Sequence, residues 1–154
     1  MEMRLPFCRQ LGVDDMKIKV AEKLDNINDL LGEIKRSSSE IGAVTIFVGS
    51  ARSIGEDGSR VLRLEYEAYE EAAVKALEKI ICDLREKYGI IDVIIEHRVG
   101  WVGVGEDIVY ALVASKHREE GFKSTIELVE RLKREVPIWK KEVTEKGSRW
   151  IEGT

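Results

Sequence analysis

The sequence has 154 residues, a formal net charge of −4, 44% hydrophobic residues and 35% charged residues. One domain of this length buries roughly 70% of its unfolded surface without needing disulfide or metal staples, and the acidic balance weighs against a general nucleic-acid binder, which needs a basic surface to neutralise phosphates. No apolar run approaches the roughly 20 residues of a membrane span, and the N-terminus lacks a signal peptide's apolar core, so the expectation is a cytoplasmic protein with no membrane partner.

Residues 1–15, MEMRLPFCRQLGVDD, show no clear period and read as an N-terminal extension ahead of a single domain over 16–154. KIKVA reads as a short strand. Leu24, Ile27, Leu30, Leu31 and Ile34 then recur at helical spacing up to a serine-rich stop. GAVTIFVGS (42–50) is a β-branched run that predicts a buried strand, and the glycine-bearing loop ARSIGEDGS leads to a second strand, RVLRLEYEA. YEEAAVKALEKIICDLREKYG predicts the clearest helix, with Gly89 as its stop. IIDVIIEHRVG and DIVYALVAS read as strands joined by a glycine-rich turn, WVGVGE. REEGFKSTIELVERLKREV predicts the last long helix, ended by Pro137. Strands and helices alternate without a regular βαβ repeat, which predicts an α+β fold with a mixed or antiparallel sheet and three main helices.

Charged residues exceed the roughly 25% usual in soluble proteins, while the chain holds one glutamine, Gln10, and two asparagines, Asn26 and Asn28. Many Lys, Glu and Arg with few thermolabile amides is a hyperthermophile's pattern. The two cysteines, Cys8 and Cys82, lack CxxC spacing, which leaves metal and redox chemistry without support.

Residues 137–150, PIWKKEVTEKGSRW, concentrate cations and aromatics in an acidic protein. Just before them Phe122, Ile126, Val129 and Val136 step along the last helix as a stripe expected to face the core, and Lys133 falls on it. A lysine there either snorkels its ammonium to the edge or sits desolvated with a lowered pKa, ready to act as acid, base or nucleophile. Lys140, beside Trp139, lies just past the helix end, so the two lysines predict an anion pocket. Arg52 follows the GAVTIFVGS strand into a glycine-bearing loop suited to phosphate. His117 and Arg118 open the last helix, where free amides attract anions, and His97 and Arg98 end another strand. Taken singly, a surface ion pair or a cap is the ordinary reading of each. GWVGVGED lacks a Walker lysine and opens no helix, so it is not a phosphate loop.

GAVTIFVGSAR, LEYEAYEEAAVKAL, IIEHRVGWVGVGEDIVYALVASKHREEGF, LKREVPIWKKE and SRWIE occur in an order that resembles the large, catalytic subunit of molybdopterin synthase, the MoaE family, from about Lys17 to Glu152. The resemblance implies an α/β-hammerhead-like α+β domain and a sulfurtransferase activity. Cyclic pyranopterin monophosphate receives two dithiolene sulfurs from the thiocarboxylated C-terminal glycine of a small ubiquitin-like carrier, whose tail enters the pocket. It implies no metal or other cofactor, and a homodimer of large subunits with one small subunit at each end, a heterotetramer. Carried over by position, Lys133 and Lys140 match the family's two essential lysines, with Lys133 near the carrier's terminal carbonyl and Lys140 near the substrate. Arg52 and the pair His117 and Arg118 match substrate-binding positions, and Ser50, Ala51, Lys141 and Glu142 adjoin them. Some relatives carry an arginine shortly after RWxE that reaches across the dimer; the sequence here reads RWIEGT, without it. The other functional reading is a non-catalytic pterin- or nucleotide-phosphate binding module of the same fold.

Overall fold

The computed structural model of the protein describes residues 17–152, so the extension assigned to residues 1–15 lies outside the described residues. In chain order the elements are β1 (Lys17–Ala21), α1 (Ile27–Lys35), β2 (Ala43–Ser50), β3 (Val61–Ala68), α2 (Glu70–Tyr88), β4 (Asp92–Arg98), β5 (Gly100–Gly103), β6 (Asp107–Ser115), α3 (Arg118–Glu135), β7 (Ile138–Thr144) and β8 (Gly147–Ile151). Among the described residues the α+β class with three helices holds, and the strands divide into two four-stranded sheets, ordered β1-β4-β6-β2 and β5-β3-β7-β8. Among the described strands only β1 and β4 pair in parallel; the other pairs are antiparallel.

The near-continuous apolar runs of β4 and β6 follow from a sheet covered on both faces, where alternate side chains enter two cores. Val93, Ile95, Val109, Ala111 and Val113 point into the larger core, against Leu77, Ile80, Ile81 and Leu84 of α2 and Leu128 and Leu132 of α3. Ile94, Tyr110, Leu112 and Ala114 point the other way, against Leu30 and Ile34 of α1. α1 starts where the Asn26 side chain accepts from the Asn28 N–H at 2.9 Å. α2 stops at Gly89, whose φ of 67° is left-handed and whose N–H donates to the Arg85 carbonyl.

Two expectations are corrected. The segment after β4 is not a turn throughout, since Gly100–Gly103 forms β5 on the edge of β3. The stripe of Phe122, Ile126 and Lys133 does not face the core: Phe122 and Ile126 are 57% and 61% exposed, and Lys133 is exposed too. The buried stripe of α3 is Gly121, Ser124, Thr125, Leu128 and Leu132, rotated by one residue. Its small polar members let the helix lie close to β2 and β6 and satisfy themselves locally. Ser124 donates to the Glu120 carbonyl at 2.6 Å and Thr125 to the Gly121 carbonyl at 2.7 Å. At Gly121 an added Cβ would lie 2.7 Å from Ser115 Oγ and 2.8 Å from Thr45 Oγ1. Gly121→Val is therefore expected to lower the unfolding free energy by about 2 kcal/mol through forced separation of helix and sheet, measured by urea denaturation.

The segment PIWKKEVTEKGSRW folds as the β7–β8 hairpin. Alternation then sorts its side chains. Ile138, Lys140 and Glu142 share the inner face with their partners Ala68, Tyr66 and Leu64, and Trp139 and Lys141 share the outer face with Glu67 and Glu65. No helix among the described residues is long and apolar enough to cross a membrane.

Candidate functional site

A cleft of about 360 Å³ opens where the end of β2, the end of β4, the last turns of α3 and the inner face of β7 meet. That is within the size range of small-molecule sites. Ser50 and Arg52 enter it from β2 and the loop that follows, Lys133 from α3, and Lys140 from β7, over walls that include Phe47, Val129 and Ile138. These four polar residues are sequence-predicted, and the structure brings them together. A wider groove joins it, sharing Lys133 and Ile138 and flanked by Trp139 and Trp150, each about half exposed.

Most cations of the described chain are paired. Lys17, Lys19, Lys79, Lys87, Lys123 and Arg131, for example, each hold a carboxylate within 3.2 Å. Among the described residues Arg52, Lys133 and Lys140 form no such ion pair. Burial pushes the Lys140 pKa below that of an ordinary lysine, and the charges of Lys133 and Arg52 push the same way, while Glu142 and Glu56 oppose them. The lysine with lowered pKa is thus Lys140. A site of unpaired cations and apolar walls favours a phosphate-bearing organic anion.

The remaining predicted residues serve elsewhere. Ala51 is buried beneath the cleft's edge, its N–H donating to the Glu106 carbonyl at 3.0 Å and its carbonyl accepting from Gly105 at 2.8 Å; this fixes the strand end from which Arg52 leaves. Glu142 is 5% exposed on the inner face, two residue pairs along the ladder from Lys140. Arg149 lies 3.9 Å from Glu142, and the loop after β2 crosses so closely that a Cβ on Gly55 would lie 2.3 Å from Glu142 Oε1. Lys141 points to the opposite face, 3.6 Å from Glu65 and 5.8 Å from the Trp150 ring centre. His117 and Arg118 lie at the far end of α3. The His117 N–H donates to the Glu120 carboxylate there, closing the helix start. Fifteen residues of helix separate Arg118 from Lys133, about 22 Å at the α-helical rise. Arg98 is also outside the site, held by Glu106 at 2.6 Å and the Trp101 carbonyl at 2.9 Å.

Two cleft residues escape the sequence reading, or enter it in the wrong role. Tyr66 and His97 line the cleft floor. His97 is 6% exposed, and burial pushes its pKa down to about 4, so it is a neutral imidazole rather than a cation. Since the unfolded chain binds this proton near pH 6.5 and the folded chain only near 4, the unfolded state holds more protons between those values. Stability is fully present above pH 6.5 and falls as the pH drops toward 4, by about 3 kcal/mol from this group. His97→Phe is expected to remove that component from the pH dependence of urea unfolding, compared with the unsubstituted protein. Among the described residues no group of three or more His, Cys, Asp or Glu is placed to hold a metal ion.

Comparison with known proteins converges on one family. The family described as MoaE protein matches residues 17–135. The molybdopterin synthase catalytic subunit of Pyrococcus abyssi is 38% identical over 137 residues, covering 89% of this chain and 92% of that protein. The solved structure of the molybdopterin biosynthesis MoaE protein from Burkholderia ambifaria superposes with a TM-score of 0.77 at 33% identity, over 90% of each chain. The crystal structure of molybdopterin synthase from Staphylococcus aureus gives a TM-score of 0.76 at 34% identity, over 88% of this chain and 95% of that one.

Proposed function

The chain belongs to the MoaE family, and from that premise we propose that it is the catalytic subunit of a molybdopterin synthase, acting in the cytoplasm. In this reading it transfers sulfur from the C-terminal thiocarboxylate of a small ubiquitin-like carrier to cyclic pyranopterin monophosphate, forming the dithiolene of molybdopterin. The observation that carries it is the convergence on one cleft of three cations, Arg52, Lys133 and Lys140, that have no ion-pair partner among the described residues. The substrate's phosphate finds compensating charge there, and charge that develops as the cyclic phosphate opens meets cations already in place.

The tryptophan-flanked groove supplies an approach for the carrier's tail. It has an apolar floor of Val136, Ile138 and Ile151, and it ends at Lys133. In this reading Lys133 holds the thiocarboxylate carbonyl as sulfur departs. Lys140, the lysine with lowered pKa, is suited to exchange protons with the substrate as sulfur adds and water leaves.

His117 and Arg118 fit the reaction only if they serve another copy's cleft. The start of β2 lies beside the start of α3, Ala43 pairing with Ser115, and β2 ends at the cleft with Ser50. β2 is an edge strand. Ile46 and Val48 on β2 and Phe122 and Ile126 on α3 are exposed apolar side chains around it. Two copies set antiparallel along this edge about a two-fold axis bring the His117 end of one to the Ser50 end of the other. The homodimer at the centre of the heterotetramer would then complete each anion site.

The test is reconstitution: the purified protein, cyclic pyranopterin monophosphate and a thiocarboxylated carrier, assayed for molybdopterin. Product formation is the expected result. Binding of the pterin without turnover would instead assign a non-catalytic binding module.

A further inference from the structure

The cleft floor holds two polar groups that the cations' chemistry leaves unused. Tyr66 and His97 are each 6% exposed, both line the cleft, and their rings meet edge to face with centroids 5.1 Å apart. His97 Nδ1 lies 2.7 Å from the Arg98 carbonyl oxygen. A carbonyl only accepts, so Nδ1 carries the hydrogen and Nε2 keeps a lone pair. Among the described residues the Tyr66 hydroxyl has no hydrogen-bond partner, and burial alone pushes its pKa upward, which keeps it an O–H donor. The hydroxyl itself opens to the cleft, where a docked ligand can replace water on it.

The imidazole does not suit the phosphate. A neutral imidazole lone pair repels an anionic oxygen, and the pKa of about 4 leaves Nε2 too weak a base to become a cation at neutral pH. The pair instead offers one donor and one acceptor side by side, both neutral and both lining the cleft. That is the complement of an uncharged heterocycle edge, where N–H donors alternate with carbonyl or ring-nitrogen acceptors.

We propose that Tyr66 and His97 read the uncharged heterocycle of the substrate, Tyr66 O–H donating to a ring acceptor and His97 Nε2 accepting from a ring or amino N–H. This deepens the proposed function and rests on it. The cleft is thereby divided into a neutral floor that selects the ring system and a cationic rim of Arg52, Lys133 and Lys140 that holds the phosphate.

The test compares binding of two probes, a phosphate-free pterin and inorganic phosphate, to the full chain by calorimetry. Tyr66→Phe removes one oxygen and keeps the ring contact with His97. It is expected to weaken the phosphate-free pterin about tenfold, the effect of one neutral hydrogen bond whose partner is left unpaired, and to leave the inorganic phosphate Kd unchanged. His97→Phe is expected to behave in the same way, and Arg52→Ala in the opposite way. If the unsubstituted protein binds the pterin and Tyr66→Phe binds it equally well, the proposed role is overturned while the function stands. Equal weakening of both probes would place the pair in the anion site and overturn it as well. An unsubstituted protein that binds no pterin would overturn the functional reading and this one together.

Discussion

Lys140→Ala is expected to reduce molybdopterin formation by about a hundred- to a thousandfold in the reconstituted reaction, the range for losing one preorganised charged group or one general acid–base. The substitution should leave the fold intact. Lys140 sits in β7 on the inner face opposite Tyr66, but its charge is desolvated and unpaired, so removing it relieves an electrostatic cost rather than breaking an ion pair. Lys140→Arg separates the two roles the position can play. A guanidinium keeps the charge and does not titrate in this range, so recovery with arginine would assign a purely electrostatic role. Continued loss is the result expected for proton transfer. The pH–rate profile gives the second readout. Removing a like charge favours the ammonium, so Arg52→Ala should move the limb belonging to Lys140 upward, toward the ordinary lysine value. Glu142→Gln removes the opposing carboxylate and should move it downward. Lys133→Ala should also fold normally and lose most product formation; full activity in that variant would overturn the assignment of Lys133.

The parts of this architecture legible in the sequence are those where one physical requirement sets the residue type. β4 and β6 read as strands because both faces are buried, and α2 reads as a helix because its apolar spacing and Gly89 agree. The last helix shows where such reading fails. Pattern alone ranks Phe122 and Ile126 above Gly121, Ser124 and Thr125 as core residues. Close packing on β2 requires small side chains, and the hydroxyls are satisfied by the helix's own carbonyls. The larger apolar residues are therefore free to face outward. For the site, the lysines and Arg52 are visible as cations near strand and helix ends, but their convergence depends on a strand register that no local spacing contains. Sequence pattern groups His97 with the cations because histidine beside arginine suggests charge. Burial reverses its character, and alternation along β4 sends Arg98 to Glu106 instead.

The same register separates His117 and Arg118 from the lysines, and that separation leads to the second large effect. Arg118→Ala and Lys133→Ala are each expected to be nearly inactive as pure proteins. Coexpressed, they are expected to regain about a quarter of the unsubstituted activity. If Arg118 acts in the partner copy's cleft, a mixed dimer concentrates both defects in one site and leaves the other complete. Random pairing makes half of the dimers mixed, each with one intact site of two. If both residues acted within one chain, every site in the mixture would carry a defect and the activity would stay near zero. The helix makes the second outcome difficult to reconcile with the fold, since about 22 Å of α3 at the α-helical rise lies between the two positions and neither His117 nor Arg118 lines the cleft of its own chain. A control that combines both substitutions in one chain, coexpressed with the unsubstituted protein, distinguishes complementation from dilution. There each mixed dimer carries one defect in each of its two sites, so only pure unsubstituted dimers, about a quarter of the total, remain active. Substituting Phe122 and Ile126 with charged residues should abolish the recovery by preventing the pairing itself, with a shift to monomer in sedimentation as the independent sign.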